Sequence, residues 1–144
     1  VVPTTKIHFF SEGEHPPIRF SKAKFRAVAG KVFADHHKIV GYVNIIFCND
    51  EYLLEINRSY LDHDYYTDII TFDYDDDRVE SDIYISTERV LENAGKADDG
   101  GTRELYRVML HGCIHLCGFG DKTEKEVAVM RQKENYYLEM VNSD

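Results

Sequence analysis

"MLHGCIHLCGFGDK", residues 109 to 122, sets two histidines one helical turn apart and follows them with a glycine-broken turn that ends in an aspartate. Each residue of a helix advances by about 100°, so His111 and His115 stand about 40° apart on one face while Cys113 and Cys117 point to the other side. The imidazoles can converge on one ion, and the thiols read as small buried hydrophobes behind them. Zinc suits this pattern because it takes imidazole nitrogens at about 2.0 Å, tolerates a carboxylate, and in catalytic sites keeps three protein ligands plus a water. Asp121 is then the third ligand, and Gly118 and Gly120 let the chain turn back far enough to deliver it. A histidine pair at this spacing is often only a satisfied surface or core feature; the glycines and the trailing carboxylate favour the metal. A peptidase helix of the H-E-x-x-H type carries its general base directly after the first histidine. Gly112 stands there, which leaves that machinery incomplete.

Working outward, Thr102 is expected to cap the helix "RELYRVMLHGCIHL", and Gly118 to end it as a C′ residue. Thr123 and Glu126 form a capping-box pattern at the head of a last helix. Upstream, "KIHFF" reads as a short strand, and Ser21 as the cap of a helix whose Phe25, Val28, Val32 and Phe33 share a face. "KIVGYVNIIFC", residues 38 to 48, is rich in β-branched residues and reads as a buried strand. Asn49 or Asp50 caps a helix with Tyr52, Leu53, Ile56 and Tyr60 on one side. "DIITFDY" and "DIYIS" follow as strands, and Ser86 or Thr87 starts the short helix "TERVLENAGK" that "ADDGG" breaks. The order, with its βαβ-like opening, implies an α+β fold with helices packed on a mixed, four-stranded sheet.

A chain of 144 residues is near the size of one domain, and no repeat or linker divides it, so residues 1–144 read as a single unit. No apolar run approaches the roughly 18 to 20 residues needed to cross a bilayer. "VVPTTKIHFF" lacks the features of a secretory signal, and an odd count of 3 cysteines argues for reduced thiols, so a cytoplasmic location is expected. The net charge of −9 opposes nonspecific attraction to phosphate backbones. Charge can be segregated, however. "DYDDDRVESD", residues 73 to 82, holds much of the excess, and a local basic groove remains compatible with the total. The alternating Asp73, Asp75 and Asp77 do not make an EF-hand, because Arg78 and Tyr84 stand where glycine and glutamate are required; the run reads as a solvated turn.

"HGCIHLCGFGD" resembles the H-G-x-L-H-L-x-G-Y-D-H signature of the bacterial YbeY family of rRNA maturation factors, with Gly120 at the tenth position and Asp121 in place of the last histidine. "INRSYLDHDYYTDIITFDY" is similar to the family stretch L-N-x-x-Y-R-x-x-D-x-P-T-D-V-L-S-F, matching at Asn57, Tyr60, Asp64, Thr67, Asp68, Ile69 and Phe72, with Thr71 replacing the serine. "SDIYIS" resembles the G-D-I-x-I-S strand, with Ser81 at the glycine. The resemblance implies a zinc-hydrolase-like fold and a zinc-dependent, single-strand-specific endoribonuclease. It also implies work on the 3′ end of small-subunit rRNA and in ribosome quality control, with single-stranded rRNA and the small subunit as partners. The three ligands carry over to His111, His115 and Asp121.

The arginine that the family uses after the tyrosine of the second block is Leu61 here, which cannot pair with phosphate. Phosphoryl chemistry needs a cation where negative charge develops. Arg58, three residues before Leu61 on the same helix, and Lys122, next to the third ligand, are the replacements the sequence offers, with His63 a third. The catalytic set is therefore His111, His115, Lys122 and Arg58. Tyr65 or Tyr66 could stack on unpaired bases. Nickel or another transition metal suits the same nitrogen and oxygen ligands. Two other readings compete: a non-catalytic ribosome assembly factor with a structural zinc, and a metal-dependent hydrolase of another substrate.

Overall fold

The computed structural model describes residues 6–63 and 66–142. Strand β1 (Ile7–Ser11), helix α1 (Lys22–Asp35) and strand β2 (Val40–Cys48) make the opening βαβ unit, with β1 and β2 parallel from Ile7↔Val43 to Ser11↔Phe47. Ser21 caps α1 by accepting a hydrogen bond from the Lys24 N–H at 3.1 Å. Phe25, Val28, Val32 and Phe33 are buried, as their spacing predicts. Helix α2 (Asp50–Leu61) is capped by Asn49, whose Oδ1 accepts from the Tyr52 N–H at 2.8 Å. Strands β3 (Ile69–Asp73) and β4 (Val79–Ser86) are antiparallel to each other, while β4 runs parallel to β2. The sheet is thus mixed, with the order β1-β2-β4-β3.

Alternation along the strands divides the core in two. Ile7, Val43, Ile45, Phe47, Ile83 and Ile85 point to one face, where they pack with α1, α4 (Thr102–Leu116) and α5 (Glu124–Asn142) in the larger core. Cys48, Ile70, Phe72 and Tyr84 point to the other, against Leu53 and Ile56 of α2. Tyr52 and Tyr60, expected on the apolar face of α2, are 37% and 74% exposed. They flank the buried stripe: the Tyr52 ring lies against Tyr84 and the Tyr60 ring meets Phe72 edge-on, leaving their outer edges in water.

Ser86 caps α3 (Thr87–Ala94) through a hydrogen bond from the Arg89 N–H. The cap of α4 differs from expectation. Gly101, with φ of 93°, occupies the cap position, and Thr102 is already helical. Asp99 supplies the acceptor instead, taking the N–H groups of Gly101 and Arg103, while the Thr102 hydroxyl donates to the Arg19 carbonyl and ties α4 to the segment before α1. Gly118, with φ of 100°, follows α4 in the left-handed conformation that favours glycine. The Thr123–Glu126 capping box is formed in both directions, at 3.0 and 3.1 Å. The acidic turn is held by the Asp75 carboxylate, which accepts from the N–H groups of Asp77 and Arg78. Among the described residues no helix is long and apolar enough to cross a membrane.

Candidate functional site

A cleft of about 320 Å³ opens where the start of β3 meets α4. The β3 side supplies Thr67, Asp68, Ile69 and Thr71; α4 supplies Arg107, Val108, His111 and His115; Asp121 enters from the turn after α4. The two histidines and the aspartate therefore share one cleft. Cys113 is fully buried behind them, and burial pushes its thiol pKa up; Cys117 packs partly buried against the larger core.

The close approach of α4 to the sheet explains Gly112. A Cβ there would lie 3.0 Å from Ile69 Cδ1 and 3.2 Å from Ile83 Cδ1, so position 112 faces the sheet and not the cleft. A glutamate at 112 would point into the core, away from any substrate beside the histidines.

Each imidazole is oriented by a hydrogen bond at Nδ1. His111 donates to Glu134 Oε2 at 2.7 Å, and His115 donates to the Phe119 carbonyl at 3.0 Å. Both acceptors lack a proton to give, so Nδ1 carries the hydrogen and Nε2 is the nitrogen left for another partner. His111 Nε2 stands 3.2 Å from Asp121 Oδ2. A hydrogen bond at Nδ1, the nitrogen turned away from an ion held by Nε2, is the usual support of a metal-ligating histidine. The chemistry of the donor set, two imidazoles and a carboxylate on one cleft wall, fits a transition ion. The side chains do not form a finished cage as they stand: among the described residues, no group of three or more His, Cys, Asp or Glu is gathered tightly enough to hold an ion.

Glu134 and Arg107 escaped the sequence reading. Glu134 is 2% exposed on α5 and accepts from both His111 and Arg107, the latter at 3.0 Å; Arg107 also forms a bidentate pair with Glu104. Burial works against a charge on His111, but Glu134, with Asp121 and Asp68 adding, outweighs it and raises the imidazole pKa. Burial works against the charge on Glu134 too, and the hydrogen bonds from His111 and Arg107 overcome it and lower its pKa. The Glu104 hydrogen bonds and charge hold the Arg107 pKa above its ordinary value. Asp68 goes the other way: burial raises its pKa, only partly opposed by Arg107.

Among the described residues, Arg107 is the arginine or lysine that lines this cleft; Lys122 and Arg58 are exposed and are not among its lining residues. Lys122 gives its backbone N–H to Glu126 beyond Asp121, and Arg58 lies near the C-terminal end of α2. Leu61 is 39% exposed at the end of that helix, and His63 is exposed just beyond it. Tyr66 donates its hydroxyl to Glu51 and lies under the Arg89 guanidinium. Asp64 and Tyr65 lie outside the described residues.

An imidazole pair fixed on a core helix beside a carboxylate and an arginine suits a hydrolase that works on charged oxygen centres. Comparison with known proteins narrows the class. The sequence pattern of Endoribonuclease YbeY matches residues 14–142. The chain is 47% identical over 130 residues to the Endoribonuclease YbeY of Christiangramia forsetii, covering 90% of both chains. It is 44% identical over 142 residues to that of Porphyromonas gingivalis, covering 94% of this chain and 90% of the relative. The solution structure of TM1509 from Thermotoga maritima superposes with a TM-score of 0.64 at 26% identity, over 94% of this chain and 88% of that one. The chain belongs to the YbeY endoribonuclease family.

Proposed function

We propose that the protein is a zinc-dependent, single-strand-specific endoribonuclease of the cytoplasm that acts on the 3′ end of small-subunit rRNA and in ribosome quality control. The observation that carries the reading is the orientation of the two imidazoles. With both Nδ1 atoms engaged, His111 and His115 offer Nε2 to the cleft that Asp121 also lines. His111, His115 and Asp121 would hold the ion, and nickel or another transition metal suits the same donors. When bound, the ion supplies Lewis acidity toward a phosphoryl oxygen or a water.

The remaining work falls to the chain. Glu134 fixes the His111 ring, and Arg107 keeps Glu134 in place while facing the cleft with positive charge for a phosphate oxygen. Asp68, whose carboxylate binds a proton more readily than usual, lies in the same cleft and suits the acceptance and return of a proton at the attacking hydroxyl.

The test is cleavage of single-stranded rRNA fragments by metal-loaded protein beside a His115→Ala variant. Cleavage by the parent alone supports the reading, and equal cleavage by both overturns it. Leu61, exposed where the family carries its arginine, favours a second reading as an assembly factor with a structural ion. That reading gains if neither protein cleaves while the parent still sediments with small subunits.

A further inference from the structure

A second cleft of about 280 Å³ lies at the opposite edge of the sheet, between β1, the segment before α1 and the start of α3. Its floor is aromatic. Phe20 meets Phe9 and Phe47 edge-on, with ring centroids 5.2 and 5.6 Å apart, and His15 stands beside Phe47. Its rim is basic: Lys22 Nζ and the Arg26 guanidinium lie 5.7 and 5.1 Å from the centre of the Phe9 ring. The charge there is opposite to that of the chain as a whole. Residues 6–26 carry five Lys or Arg against two Glu, within a protein of net charge −9.

Register places this cleft in line with the first. Ser11 pairs with Phe47, Phe47 with Ile85, and Ile85 with Ile69, so one row crosses all four strands. Ser11 and Phe47 line the second cleft, and Ile69 lines the first. Paired residues project to the same face, and three strand spacings separate the ends of the row by about 14 Å. Helix α4 runs between them, with Leu105 on the second cleft and Arg107 and Val108 on the first. A flexible polyanion seated at the histidines therefore has a basic, aromatic surface within a few nucleotides' reach. Basic side chains over aromatic rings are the means by which proteins hold single strands without reading their sequence.

We infer that the cleft between β1 and α1 is a second contact for substrate RNA, holding unpaired nucleotides that flank the cleaved bond. The inference rests on the ribonuclease reading of the first cleft, but its test does not need cleavage. Binding is measured with uncleavable 2′-O-methyl single strands of roughly 4 and roughly 12 nucleotides, the range over which one such surface is filled. The parent should bind the longer strand at least tenfold more tightly. Lys22→Glu places an acid in the first turn of α1, where the helix dipole favours it, so the fold should be kept, which a thermal melt checks. It should cut the long-to-short ratio at least fivefold, lower the salt slope by about one and leave the short strand unaffected. Lys22→Arg should restore the ratio. On cleavable RNA the same change should raise KM for long strands and leave kcat unchanged. A long-to-short ratio that Lys22→Glu leaves untouched would overturn the inference, as would competition for the cleft by an acidic peptide but not by RNA. Length-dependent binding without cleavage by the metal-loaded parent would instead remove the nuclease reading and keep the RNA contact.

Discussion

His111 and Arg107, one turn apart on α4, share the carboxylate of Glu134 on α5, at 2.7 and 3.0 Å. One buried acid thus orients the imidazole and fastens the last helix to the helix that carries the site. The depressed pKa of Glu134 means that its contribution is complete above its ordinary value of 4.5 and is lost as pH falls through the folded value. The raised pKa of His111 means that its contribution is complete below its ordinary value of 6.5 and is lost as pH rises through the folded value. Both are complete between those limits. Glu134→Gln should therefore cost about 1–3 kcal/mol in urea unfolding within that window, with the gap from the parent narrowing on either side. A gap that does not vary with pH would contradict the assignment.

Position 112 separates two sizes of change. Gly112→Ala gains helix propensity of about 1 kcal/mol and asks only that the flexible ends of Ile69 and Ile83 give way, so the stability change should stay within about 1 kcal/mol. Gly112→Glu buries a charge against the sheet and should cost about 4 kcal/mol or more. Restoring the peptidase motif should yield an unfolded chain and no peptide hydrolysis, as circular dichroism and a peptide library can show.

Asp68 is held at a cost. Its pKa is raised by burial, so its charged form is less favourable folded than unfolded; the penalty applies at neutral pH, fades as pH falls through the raised folded value and is gone below its ordinary value of 3.8. Asp68→Asn should raise the thermal midpoint by a few degrees at neutral pH, lose that advantage in acid, and lower RNA cleavage by about a hundredfold or more. A variant that is both less stable and fully active would refute its role.

Removing the Thr123 hydroxyl opens one half of the box that starts α5. Thr123→Ala should cost about 1 kcal/mol. Because the box lies two residues beyond Asp121, an ion held by the proposed ligand set should be retained more weakly as well, read by competition with a chelating dye.

Much of the fold was legible because its signals are local. Ser21, Asn49 and Ser86 cap helices where the sequence places them; the run at 38–48 forms a strand from Val40 on, and 82–86 falls wholly in one. Thr102 misled because a threonine before a periodic run looks like a cap; the acceptor came from Asp99, in a turn that two glycines allow. Tyr52 and Tyr60 misled because helical spacing cannot tell a buried ring from one that lies along the edge of a sheet. That His111, His115 and Asp121 meet in one cleft was readable from spacing. Arg107 could have been, since it continues the histidine stripe at the same four-residue interval. Glu134 could not: it lies 23 residues beyond His111, and only the packing of α5 on α4 brings it there.

The three thiols have a practical use. Burial holds Cys48 at about 12 and Cys117 at about 11, and Cys113 higher still, so at neutral pH all three are protonated and poor nucleophiles. Mild alkylating reagents should pass over the native protein, and one cysteine introduced on an exposed helix face would accept a fluorophore or spin label selectively, without first stripping the chain of its own sulfur.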